Sequence, residues 1–198
     1  MIEFIDINKD LPYLIFKEKY DEAMAVDQNN IDAVAISSFN KKLNIVDSRF
    51  VNLKYVHKKE FIFFSNYNSP KSQAFKTHNQ INALFFWSSI NVQIRIMAKI
   101  NKTSIKYNSE HFKKRSKDKN ALAISSDQSS KITSYNHILK KYEKAKTKSN
   151  LFKCPDYWGG FAFIPYSFEF WEGHESRINK RILYTRIKDN WKKDILQP

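Results

Sequence analysis

The chain has 198 residues, 42% of them hydrophobic and 15% aromatic, enough to fill the core of one domain and to exclude a disordered tail. No run of about 18 apolar residues is present to span a membrane, MIEFIDINKD at the start lacks a signal-peptide core, and a lone cysteine, Cys154, excludes an internal disulfide or a cysteine-ligated metal; a cytoplasmic protein is expected. A formal net charge of +14 fits a phosphorylated or nucleic-acid partner, but the lysines are spread along the chain, with one concentration in HFKKRSKDK at 111–119, which argues against a dedicated nucleic-acid tract.

Asp10 to Val26 predicts an amphipathic helix, with Asp10 as N-cap and Pro12 in the first turn. From Ala33 the period changes to that of strands. AVAISS, NIVDSRFVNLKYV and EFIFFS, separated by FNKK and HKKE, predict a three-stranded meander. Ser69 and Pro70 then open a helix over PKSQAFKTH, with serine as cap, and INALFFWSS and NVQIRIMAKI predict two further strands. Residues 105–149 are polar and lysine-rich, a helical insertion in which HILKKYEKAKTK reads as an exposed helix. Residues 156–198 return to strands: FAFIPYSFEFW, RILYTRI and WKKDIL, with Pro165 at an edge or a bulge. The expected fold is mainly β with flanking helices: one domain over 1–198, an antiparallel barrel or curved sheet preceded by a helical segment at 1–30. FIFF, FFW and FAF have more apolar surface than one small barrel hides, so a homodimer is expected.

Chemistry-bearing motifs are few. His57, His78, His111, His137 and His174 are scattered without metal-ligand spacing, and there is no GxGxxG or GKS/GKT loop, so neither a metal nor a classical nucleotide fold is expected. All three glycines, Gly159, Gly160 and Gly173, fall in WGGFAFIPYSFEFWEGHESRINKR at 158–181, marking this as a place where the backbone needs φ > 0 or close approach. Cations and amides also sit inside strands. Arg49 and Lys54 are five apart, on opposite faces unless a bulge intervenes; Gln93 and Arg95 share a face; Lys71 lies near a helix start; Arg177 and Arg181 follow Gly173. Together they suit a pocket for phosphates.

The order SRFVNLK, FFSNYNSPK, FFW with VQIR, QSSKI and YWGGFAFIPYSFEFWEGHESRINKRILY resembles the pyridoxamine/pyridoxine 5′-phosphate oxidase family over about residues 33–198. The resemblance implies a split β-barrel homodimer holding FMN at the subunit interface. It assigns Arg49, Lys54, Phe64, Ser65, Lys71, Gln93, Gln128, Ser129, Trp171 and Arg181 to the cofactor, with Phe64 and Pro70 departing from the usual tyrosine and arginine. It assigns Lys54, His111, Arg115, Lys119, Arg177 and Asn179 to the substrate, with Arg177 and Asn179 nearest the reaction. Three of these depart from the family pattern: His111 stands for tyrosine, Lys119 for serine, and Asn179 for the histidine of R-x-H. On this view the two glycines give a tight entry to a strand and Gly173 turns the chain, making the stretch a cofactor wall.

The function implied is oxidation of pyridoxamine or pyridoxine 5′-phosphate by O2 to pyridoxal 5′-phosphate with release of hydrogen peroxide, a step of vitamin B6 metabolism. The three departures motivate an alternative, an FMN oxidase of another substrate similar to the phenazine-pathway oxidases. A noncatalytic flavin- or nucleic-acid-binding protein is the third reading, motivated by the charge.

Overall fold

The computed structural model describes all residues, 1–198. Helix α1 spans Leu11–Ala25 and buries Tyr13, Phe16, Tyr20 and Ala23, spaced three and four apart on one face as the sequence predicts. Asp10 has the extended backbone of an N-cap but makes no side-chain cap bond; its carboxylate accepts from the Trp191 indole at 3.1 Å instead. The strands β2 (Ala33–Asn40), β3 (Ile45–His57) and β4 (Glu60–Asn66) form the expected meander. Helix α2 (Pro70–Thr77) follows; Ser69 sits at its N-cap, yet its hydroxyl donates backward to the Asn66 carbonyl rather than capping. Strands β5 (Gln80–Trp87) and β6 (Val92–Lys102) are joined by a 3-10 turn over Ser88–Ile90 and Asn91 in the left-handed region. The polar middle holds α3 (Ile105–Lys114), α4 (Lys117–Ser125) and α5 (Tyr135–Lys148), the last with only Ala145 buried. Strands β7 (Trp158–Glu172), β8 (Lys180–Ile187) and β9 (Asn190–Leu196) complete the chain. A three-residue strand, β1 (Glu3–Ile5), which pairs in parallel with β3, is absent from the sequence reading.

The strands pair in the order β3-β2-β5-β6-β7, and β4 joins both β3 and β7, so six strands close an antiparallel barrel. The split arises in β7. Its first part, to Phe163, pairs with β4; from Ser167 onward it pairs with β8. Between them lies a bulge opposite Met97 and Ala98, in which Tyr166, next to Pro165, is the extra residue. The barrel is solid, filled by Leu53, Val56, Phe61, Phe63, Phe85, Ile94, Ile96, Phe163 and Phe168, with α1 laid against it through Phe16 and Tyr13.

No glycine has positive φ. The reading of a tight entry at Gly159 and Gly160 and a turn at Gly173 is corrected: at each the backbone runs close to a neighbouring side chain. A Cβ at Gly159 would lie 2.3 Å from the side chains of Asn108 and Tyr67, one at Gly160 would lie 2.5 Å from the Thr103 hydroxyl, and one at Gly173 would meet Asn91 at 2.1 Å. The left-handed positions are taken instead by non-glycine residues, among them Asn30, Asn44, Lys58, Ser129, Arg177 and Lys188.

Candidate functional site

A cleft of about 580 Å3 opens between β3, β4, the start of α2 and the α3–α4 corner. It collects Arg49, Lys54, Phe64, Ser65, Lys71, His111, Arg115, Lys119 and Gln128 from the sequence-predicted set, together with Lys114 and Trp158, which sequence reasoning did not single out. Trp158 had a visible signal, the ring directly before the paired glycines. No carboxylate lines the cleft.

A bulge brings Arg49 and Lys54 together. In the β3–β4 ladder Leu53 pairs with Phe63 and Tyr55 with Ile62, leaving Lys54 as the extra residue. Leu53 and Val56, three apart, are consequently both fully buried, and Lys54 is re-aimed toward the side that Arg49 occupies. Lys54 pairs with Asp32 at 2.7 Å; burial opposes ionisation of that carboxyl, but the Lys54 contact outweighs it and holds it below the usual range. Arg49 donates to the Ser38 hydroxyl at 2.9 Å and the Ile36 carbonyl at 3.3 Å, and pairs with Asp47.

Lys71 is the anomaly. It is 5% exposed and makes neither a hydrogen bond nor an ion pair, whereas a buried cation is ordinarily paired. Burial, aided by the charge of Arg49, lowers its ammonium to about 8. Two cations thus face the same space with nothing of opposite sign between them except Asp47 on the Arg49 side.

The other wall is aromatic. His111 stacks on Phe64 at 3.6 Å with a 7° interplanar angle, Trp158 is parallel to Phe64 at 5.3 Å, and the Arg115 guanidinium lies 4.3 Å from the Trp158 ring. Gly160, opposite Phe64 in the ladder, leaves the room for that ring to lie flat: a Cβ would come within 3.1 Å of it. Tyr55 hydrogen-bonds His111 Nδ1 at 2.8 Å. Burial first, then the charges of Arg115, Lys54 and Lys114, pushes His111 down to about 4, so the imidazole is neutral at pH 7. Gln128 accepts from the Ser65 hydroxyl at 2.9 Å and the Asn66 amide at 3.3 Å, tying the 126–130 loop to β4.

The remaining predicted residues lie outside the cleft. Ser129 lines a separate cavity with Lys131 and His137. Gln93, Trp171 and Arg181 form one row across β6, β7 and β8. Arg181 is held by Glu169 at 2.8 and 3.0 Å and donates to the Gln197 carbonyl; Arg95 shares the same buried carboxylate. Arg177 and Asn179 occupy the β7–β8 loop, where the Asn179 side chain accepts from the His174 amide at 3.1 Å. One chain therefore carries two patches, a cationic cleft and a β7–β8 patch, that do not form one pocket.

A pyridoxine/pyridoxamine 5′-phosphate oxidase from Christiangramia forsetii is 36% identical over 195 residues, covering 96% of this chain and 89% of its own. The chain belongs to the pyridoxine/pyridoxamine 5′-phosphate oxidase family. Residues 158–198, which contain the second patch, match the model of the pyridoxine 5′-phosphate oxidase C-terminal dimerisation region. The fold of the family is also evident in PhzG from Burkholderia lata, solved with tetrahydrophenazine-1-carboxylic acid, with a TM-score of 0.89 at 20% identity over 94% of this chain and 92% of that one. A pyridoxamine 5′-phosphate oxidase-related, FMN-binding protein from Nostoc punctiforme gives a TM-score of 0.77 at 10% identity over 92% and 97%. Of the three positions that the resemblance marks as departures, His111 and Lys119 line the cleft and Asn179 does not.

Proposed function

We propose that the protein is an FMN-dependent oxidase of pyridoxamine or pyridoxine 5′-phosphate, active as a homodimer in which the cleft of each subunit is completed by the β7–β8 patch of the other. The observation that carries this reading is Lys71, a largely buried side chain that lines the cleft with no protein partner for its ammonium, beside Arg49: the pair suits the phosphate of FMN, and such an anion offsets the cost of desolvating the charge. Phe50, 74% exposed at the rim of the cleft, and Phe86, 56% exposed, are apolar surface suited to a second copy.

When bound, FMN would supply the two-electron acceptor for the amine- or alcohol-bearing carbon of the substrate, with O2 reduced to hydrogen peroxide. The protein's part is to bind and orient. Ser65 and Gln128 offer hydrogen bonds along the cofactor, while Lys54, Arg115 and Lys119 clamp the substrate phosphate. His111, neutral and fixed by Tyr55, adds a hydrogen bond without adding charge. The partner subunit's Arg177 and Asn179 orient the substrate ring over the cleft.

The test is to mix FMN-loaded protein anaerobically with pyridoxamine 5′-phosphate and follow the flavin's visible absorption. Rapid bleaching is expected, and Asn179→His, which installs the family's usual residue, is expected to speed it roughly tenfold, the size of one added charge-assisted contact. Firm FMN binding without bleaching would overturn the assignment of substrate. A second reading, favoured by His111, Lys119 and Asn179, is an FMN oxidase of a carboxylated reduced heteroaromatic; bleaching by tetrahydrophenazine-1-carboxylic acid and not by the vitamer would establish it.

A further inference from the structure

The bulge in β3 leaves two consecutive residues, Lys54 and Tyr55, outside the barrel core, between the fully buried Leu53 and Val56. Lys54 lines the cleft and Tyr55 does not. Tyr55 stands behind His111 instead, its ring edge-on to those of His111, Phe64 and Tyr107 at 5.4, 6.2 and 6.3 Å. The only side-chain hydrogen bond of its hydroxyl is the one to His111 Nδ1, at 2.8 Å.

The other ring nitrogen of His111, Nε2, makes no hydrogen bond within the chain and is not one of its buried unpaired atoms, so it stays open on a ring that lines the cleft. The neighbouring cations donate elsewhere, Lys54 to Asp32 and Arg115 to Asn120 and the Lys119 carbonyl. A neutral imidazole carries one proton, and the partner of one nitrogen decides which of the two holds it. Either Tyr55 donates to Nδ1 and the proton sits on Nε2, or Nδ1 donates to the phenol oxygen and Nε2 is a bare acceptor. The phenol is the acid of this pair and the imidazole the base, so the first arrangement is favoured. Burial, and then the charge of Glu3, raises the Tyr55 hydroxyl above its usual range and keeps its proton in place. The second arrangement would aim a lone pair at a space that holds cations and no carboxylate.

We infer that Tyr55 is a positioning residue: by donating to His111 Nδ1 it fixes the tautomer with the proton on Nε2, so that His111 presents a donor, not an acceptor, to the phosphate of the substrate. The inference rests on the reading of the cleft as a site for a phosphorylated substrate, and names what selects that group. A fixed neutral donor matches a phosphate dianion, which only accepts. One bulge thus supplies both a cation that faces the phosphate and the hydroxyl that sets its neutral neighbour.

Long-range proton-nitrogen NMR correlations of His111 at pH 7, assigned by their loss in His111→Phe, show which nitrogen carries the proton, with and without FMN. The proton is expected on Nε2 alone. Tyr55→Phe, which keeps the ring and loses only the hydroxyl, is expected to move both nitrogens toward the average of the two tautomers. In anaerobic flavin bleaching by pyridoxamine 5′-phosphate, Y55F is expected to raise the half-saturating concentration about three- to tenfold and leave the limiting rate unchanged. H111F, which keeps a ring to stack on Phe64, is expected to raise it at least as much, and Y55F/H111F no further than H111F. A proton on Nδ1, or a Y55F effect that adds in full to that of H111F, overturns the proposal. If the vitamer bleaches no variant, the substrate reading fails, while the position of the proton still decides the role of Tyr55.

Discussion

Replacing Lys71 by methionine is expected to weaken FMN binding about 10- to 150-fold, the equivalent of about 1.5–3 kcal/mol for one hydrogen bond to a charged group. The same change is expected to leave the flavin-free protein as stable as before or more so. The two effects diverge because the lysine is largely buried with no partner for its partly desolvated ammonium, and methionine fills similar volume without a charge to desolvate. Acidity provides a second readout. The ordinary value of 10.5 falls to about 8 in the folded chain, so between these values the unfolded chain holds a proton that the folded one has lost. Flavin-free protein should therefore gain stability as pH rises from about 8 to 10.5, and K71M should lack that gain. Flavin fluorescence titration and melting curves across this range measure both. A variant that melts earlier while holding FMN normally would show that Lys71 serves the fold instead.

Gly159→Ala is expected to cost about 3 kcal/mol or more and to prevent folding in warm conditions, whereas Gly173→Ala should cost less than about 1 kcal/mol. The contrast is informative because an added Cβ meets a side chain at comparably short distance in both places, 2.3 and 2.1 Å. The neighbours differ. At Gly159 they are Asn108 and Tyr67, both buried and joined in a closed circuit: Asn108 donates to the Tyr67 hydroxyl at 2.9 Å, Tyr67 donates to the Gly160 carbonyl at 3.0 Å, and the Gly160 amide donates to Asn108 at 2.8 Å. Moving either side chain leaves buried polar atoms unpaired. At Gly173 the neighbour is the exposed side chain of Asn91, which can swing into water. Urea midpoints of the two variants measure the difference, and equal midpoints would contradict this account.

Most of the barrel was legible because its strands alternate and its turns are punctuated, and β2 to β6 fall within a residue or two of their expected ends. The strand at Glu3–Ile5 was not, since three residues hold too little periodicity and their pairing with β3 is long-range. Side-chain caps were misread at Asp10 and Ser69 because each hydroxyl or carboxylate found a better tertiary or local partner. The site was legible in part. Spacing alone set Arg49 and Lys54 on opposite faces, and only the register shift at Lys54 reconciles them. Residue identities likewise gave no sign that Gln93, Trp171 and Arg181 lie apart from the cleft, because that separation depends on β7 changing partners at its bulge.

The left-handed positions described above also bear on how hardy a catalyst this chain can become. At Lys58 and Lys188, the first loop residues of two tight hairpins, φ is 53° and 55° in residues whose side chains disfavour it. Asparagine tolerates that conformation better without glycine's entropic cost, so K58N and K188N together offer of order 1 kcal/mol of thermal headroom. Neither residue lines the cleft, which makes the two hairpin tips a place to harden the enzyme for use at raised temperature while its chemistry stays as it is.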